Sequence, residues 1–145
     1  MHRNCCQARL VSLALMLCGC PPAPRGQDAS AGGEGGGGAA VHYSAVQSGI
    51  FDRRCVTDCH EATDPGEGLT LTRDRSFGAL VYQRSRQSPL RYRVLPGDQA
   101  ASYLVNKIDG VSDYVGDRMP KGAPRLPQTE IDQVRTWVTR GAPND

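Results

Sequence analysis

Cys55-Val56-Thr57-Asp58-Cys59-His60 decides how the rest of this chain is read. Two thiols are followed at once by an imidazole, so one short segment offers two sites for thioether bonds and one nitrogen for a metal. That is the pattern that fastens haem c to protein: each thiol adds to a vinyl group of the porphyrin, and the adjacent histidine takes the iron. The common form has two residues between the cysteines. Here there are three, and the additional residue is expected to be absorbed as a looser turn between the two thioethers.

The other cysteines narrow the choice. Residues 1–19 read as a secretory signal: Arg3 and Arg9 give it a positive start, and Leu10 to Cys18 is an apolar run too short to span a bilayer. Its end, Leu17-Cys18-Gly19-Cys20, resembles a bacterial lipobox, which implies that Cys20 is lipidated and becomes the mature N-terminus. Several acyl chains on one residue suffice for stable anchoring. A soluble secreted protein cut elsewhere is the alternative. Pro21 stands where an aspartate would retain such a lipoprotein at the inner membrane, which favours the outer membrane of a two-membrane cell. Cys5, Cys6 and Cys18 then leave with the signal and Cys20 takes lipid, so only Cys55 and Cys59 remain in the exported part. Outside the cytoplasm such a pair is oxidised or bonded to something, which leaves haem attachment or a short-loop disulfide.

The formal charge of the whole chain is +2, and losing Arg3 and Arg9 with the signal leaves a nearly neutral protein, with no basic stripe for nucleic acid. From Pro21 to Ala40 the composition is Pro, Gly, Ala and Ser with a glycine run, so residues 20–40 are expected to be an anchor and a flexible tether. Residues 41–145 make one small domain with a modest core, to which a flat apolar cofactor would add surface.

Within that domain the periodicity predicts helices. Val41 to Arg54 leads into Cys55 with Val46 and Ile50 four residues apart; Asp74 caps a helix from Arg75 to about Gln83; Asp98 caps one from Gln99 to about Ile108, which Gly110 ends. The clearest is the last, where Ile131, Val134 and Val138 share a face with Trp137 beside them and Gly141 follows. Leu69-Thr70-Leu71 is a short extended piece, and no long alternating run suggests a sheet. The expected fold class is all-α.

With Met1 and Met16 gone in the signal, Met119 is the remaining methionine, and it lies in Asp117-Arg118-Met119-Pro120-Lys121-Gly122 without apolar neighbours. A core methionine sits in an apolar pattern. A thioether in a proline-bounded loop suits the second axial position on a haem iron, where it raises the reduction potential, with a surface methionine as the alternative.

Taken together these pieces resemble the class I cytochrome c domains of bacterial envelope proteins. The resemblance runs from Val41 to Asn144 and rests on Cys55…Cys59-His60, then Gly68-Leu69-Thr70-Leu71, Leu95-Pro96-Gly97-Asp98…Ser102-Tyr103-Leu104-Val105, Arg118-Met119-Pro120, and Glu130-Ile131…Val134-Arg135-Thr136-Trp137-Val138…Gly141-Ala142. It implies one covalent haem c on Cys55 and Cys59, His60 as proximal and Met119 as distal iron ligand, residues 96–104 packed beside the haem, and a last helix crossing the first. It also implies an electron carrier in the cell envelope, exchanging one electron with redox partner proteins, rather than an enzyme.

Two rivals keep the same residues. One is a haem-free module with a Cys55–Cys59 disulfide that serves interaction or structure. The other is a zinc site in which His42 joins Cys55, Cys59 and His60. Arg84, Arg86, Arg91 and Arg93 form a basic cluster that either steers an acidic partner, sits by a haem propionate, or is solvated. Arg118, Lys121 and Arg125 flank Met119 and would ring the haem edge, and Trp137 reads as core.

Overall fold

Leading into the cysteines, the chain is helical but unevenly wound. In the computed structural model, which describes residues 40–61, 65–111 and 113–145, α1 (Tyr43–Val46) runs into a π-helical turn (Gln47–Phe51) and then α2 (Asp52–Arg54). The expected signal peptide, the Cys20 anchor and the tether up to residue 39 lie outside the described residues. The wide turn holds Gln47 in the core, where its amide nitrogen donates to the Leu71 carbonyl at 2.9 Å and to Asp52 at 2.7 Å. Its amide oxygen accepts from Ser76 Oγ at 2.6 Å, so the buried polar group is satisfied on both sides.

The cysteine segment is also widely wound. Val56 N donates five residues back to the Phe51 carbonyl at 3.0 Å, and His60 N is shared between the carbonyls of Cys55 and Val56, both at 3.1 Å. Between them Asp58 is left-handed, with φ of 63°. Aspartate is among the few side chains that tolerate that region.

Two helices are shorter than their sequence predicts. Instead of running from Arg75 to Gln83 under an Asp74 cap, α3 spans Ser76–Leu80 and receives no side-chain cap. Val81 turns extended because it pairs with Val94, and Tyr82 N donates to the Val94 carbonyl at 3.0 Å. The helix expected from Gln99 begins only at Tyr103: α4 spans Tyr103–Asp109. Asp98 does accept from Ala101 N, at 2.9 Å, but it closes a turn rather than a helix. Ser102 is held extended by pairing with Tyr92, and the first amides of α4 donate to the carbonyls of Tyr92 and Arg93. In both cases a distant strand-like partner outbids local propensity, which is a weak prior.

The last helix, α5 (Gln128–Thr139), follows its sequence closely, starting after Pro127 and stopping where Gly141 takes φ of 96°. Its buried face is Ile131, Val134, Trp137 and Val138. Tyr43 of α1 meets Trp137 with ring centroids 5.0 Å apart and packs its edge on Phe77 at 5.2 Å, so first and last helices join through one aromatic cluster. Among the described residues no strand forms beyond isolated bridges, and no helix is long and apolar enough to cross a membrane.

Residues 41 and 145 are also tied together. Tyr43 N donates to the Asp145 carboxylate at 2.8 Å and Ser44 N to the Asp145 carbonyl at 3.0 Å, while Arg140 donates to the Val41 carbonyl. These bonds supply the first amides of α1, which lack partners within the helix.

Candidate functional site

The cysteine turn, the loop after it, α4 and the segment before Pro120 surround one pocket, and Cys55, Cys59, His60 and Met119 all line it. Residues far apart in sequence are thus gathered on one concave surface. Ile50, Phe51, Leu71, Leu80, Leu104 and Ile108 supply apolar wall.

His60 is held by a specific contact: its Nδ1 lies 2.7 Å from the Leu69 carbonyl. A carbonyl only accepts, so Nδ1 carries the proton and Nε2 is left with its lone pair. This is the arrangement that orients an imidazole as a metal ligand, the far nitrogen being fixed by a backbone acceptor. Burial pulls the His60 pKa below the ordinary imidazole range, outweighing the Leu69 bond, and the nearby charges of Arg93 and Lys107 act in the same direction. The neutral form is therefore favoured. The ring lies over Gly66, whose missing Cβ would come 3.5 Å from Cε1.

Met119 is half-buried against the core and presents its side chain to the pocket, although its immediate sequence neighbours are polar. Its amide donates to the Lys107 carbonyl at 2.7 Å. Its carbonyl accepts from Arg118 at 3.2 Å, and the same guanidinium donates to the Ala123 carbonyl at 2.8 Å. That arrangement depends on Gly110, the left-handed end of α4 with φ of 73°: a Cβ there would lie 2.4 Å from Arg118 Cδ.

Both cysteines are free thiols. Cys59 is exposed, whereas Cys55 is half-buried, and burial, with Cys59 adding to it, pushes its thiol up to about 12. Cys55 therefore stays protonated near neutral pH, and its addition to another group calls for external activation, since the thiolate is the nucleophile. His42 does not join this group; it pairs with Asp145 at 3.0 Å. Among the described residues no three His, Cys, Asp or Glu side chains come together as a metal site, which leaves the four-ligand zinc reading without a geometry.

The basic cluster divides. Arg84 stacks on Tyr92 at 3.8 Å, and Arg91 donates to the carbonyls of Asp113 and Ala100, so both serve the loop itself. Arg86 and Arg93 line the pocket. Arg93 donates to the Ala79 carbonyl at 2.9 Å, and burial, then Arg86, lowers its pKa. Arg86 lies flat on Gly68, where a Cβ would come 2.3 Å from Nη1. Lys107 lines the pocket wall as well; sequence reasoning passed over it, although a lysine inside the apolar stripe Tyr103, Leu104, Ile108 was the available signal. Among the described residues none of these three forms an ion pair with a carboxylate, whereas Lys121 pairs with Asp117 at 3.0 Å and Arg125 with Asp109. Arg125 is not on the pocket wall, so of the basic residues flanking Met119 only Lys121 reaches it.

A neutral imidazole, a thioether and two thiols on an apolar wall, with Arg86 and Arg93 beside them, are a donor set compatible with a haem. No protein-family model, no curated protein and no solved structure matches the chain.

Proposed function

We propose that this chain is a c-type cytochrome of the cell envelope, with one haem c bonded to Cys55 and Cys59 and an electron-carrying role. The observation that carries the reading is that Cys55, Cys59, His60 and Met119 line one largely apolar pocket, with His60 Nδ1 already committed to the Leu69 carbonyl. When bound, the haem supplies an iron that gains or loses one electron. His60 presents a neutral Nε2 to it, and Met119 offers the thioether that favours the reduced state. Arg86 and Arg93 are the residues placed to meet its two propionates, and the apolar walls keep water from the ring. The fold class that goes with this reading is an all-α cytochrome domain. The lipid anchor at Cys20, the periplasm-facing position and the redox partner proteins belong to the same proposal.

The test is a reduced pyridine haemochrome spectrum and an intact mass on protein exported beside a permissive cytochrome c maturation system. Support is an α-band of the two-thioether type with a mass raised by one haem. A one-thioether band that survives Cys55→Ser and vanishes in Cys59→Ser would place attachment at Cys59 alone. No band, with a mass two protons short of the dithiol, would sink the reading in favour of the disulfide module.

A further inference from the structure

We propose that Tyr103 and Lys107 are positioning residues, which hang the Val115–Met119 segment from one face of α4 and so fix Met119 at the pocket. Its functional meaning rests on the reading of Met119 as an iron ligand; the anchoring itself does not. Tyr103 and Lys107 are four residues apart on one helix, so their side chains rise from the same face on successive turns. Both are buried, with 4% and 6% of their surface exposed. The Tyr103 hydroxyl accepts from Val115 N at 2.9 Å, and Lys107 Nζ donates to the carbonyls of Val115 at 2.9 Å and Asp117 at 2.5 Å. The main chain of the same lysine accepts from Met119 N at 2.7 Å. Four hydrogen bonds from two residues thus meet every second residue of the segment, at Val115, Asp117 and Met119.

The segment has no helix or strand of its own to hold it, since it runs as bends and irregular chain between α4 and Pro120. A buried ammonium is an expensive way to fill space, and leucine or methionine would pack the same volume at less cost. Its use here is to satisfy two carbonyls that α4 could not otherwise reach. The Tyr114 ring, 5.4 Å from Nζ, closes over the ammonium from the side of the segment. Charge-assisted hydrogen bonds of this kind are stronger than neutral ones, and losing them frees the segment while leaving the helix intact.

The experiment compares the full exported chain with Lys107→Met, Lys107→Arg, Tyr103→Phe and, as a direct ligand control, Met119→Leu. Amide hydrogen exchange at Val115 and Met119 is expected to become about tenfold faster in Lys107→Met, two bonds to a charged donor being lost. Lys107→Arg restores most of the protection, and Tyr103→Phe accelerates Val115 alone. In the haem-loaded protein, Lys107→Met keeps its haem content and helical signal but loses the weak thioether-to-ferric-iron absorption, and its potential falls toward that of Met119→Leu. Unchanged exchange in Lys107→Met overturns the anchoring. Faster exchange with the absorption and potential untouched overturns the positioning role. Faster exchange in a protein that lacks the absorption even before substitution, with Met119→Leu silent, leaves the anchoring standing and removes Met119 from the ligand set.

Discussion

Gly110→Ala probes how α4 and the Met119 segment are coupled. The glycine sits at φ of 73°, and an alanine there carries about 1–2 kcal/mol of left-handed strain. A loss of freedom in the unfolded chain offsets about 0.4–1 kcal/mol of that. The new Cβ would also stand 2.4 Å from Arg118 Cδ and 2.8 Å from Cγ, which is the middle of the side chain and not its tip. The stem must leave, and with it go the bonds from its guanidinium to the carbonyls of Met119 and Ala123, each contributing about 0.5–1 kcal/mol. The sum is about 2–3 kcal/mol, a fall of about 1–2 M in urea midpoint for a domain of this size. Trp137, the single tryptophan and fully buried, reports the transition by fluorescence. In an Arg118→Ala background nothing stands in the way of the methyl group, and Gly110→Ala is expected to cost only the backbone part, about 1 kcal/mol. The cycle should therefore show about 1–2 kcal/mol of coupling. An equal cost with and without Arg118 would refute the reasoning. Gly68→Ala gives the contrast: its Cβ meets only the exposed tip of Arg86, which swings aside, so that substitution should show almost no coupling.

Tyr43→Phe removes a buried hydroxyl that bonds Ser76 Oγ at 2.5 Å and Gln47 at 3.2 Å; denaturant unfolding should show a loss of about 1–2 kcal/mol, and no loss would mean the network is slack. Trp137→Ala should cost about 3–5 kcal/mol by the same assay, read through helical circular dichroism, because the indole fills the junction of α1 and α5. Asp145 has its carboxyl held below the ordinary range by the Tyr43 amide, with His42 and Arg140 adding to this. A depressed folded value means that its contribution is full above the unfolded value, about pH 4, and is lost as pH falls through the folded one. The stability gap between the unaltered chain and Asp145→Asn should thus shrink in acid, and parallel pH profiles would contradict this.

What could be read from the residues alone follows from where each signal originates. α5 was legible because its period, Pro127 and Gly141 all act within the segment. The four pocket residues were legible because thiol, imidazole and thioether chemistry is carried by residue type. The end of α3 and the start of α4 were not, since Val94 and Tyr92 decide them from across the fold. Neither was the division of the arginines, because Arg84 and Arg91 spend their donors on a loop whose path is set elsewhere. Lys107 was hidden for a related reason: its role appears only once Val115 and Asp117 are brought above α4.

The ties between Asp145 and the first turn of α1 have a topological consequence. Because Arg140 bonds the Val41 carbonyl and Asp145 bonds the amides of Tyr43 and Ser44, a chain that enters at Val41 and leaves at Asp145 does so through a single gap. Such a unit can be spliced into a surface loop of a host protein without spreading the host's ends, or circularised and reopened at a distant loop such as the one around Leu90, which is 91% exposed.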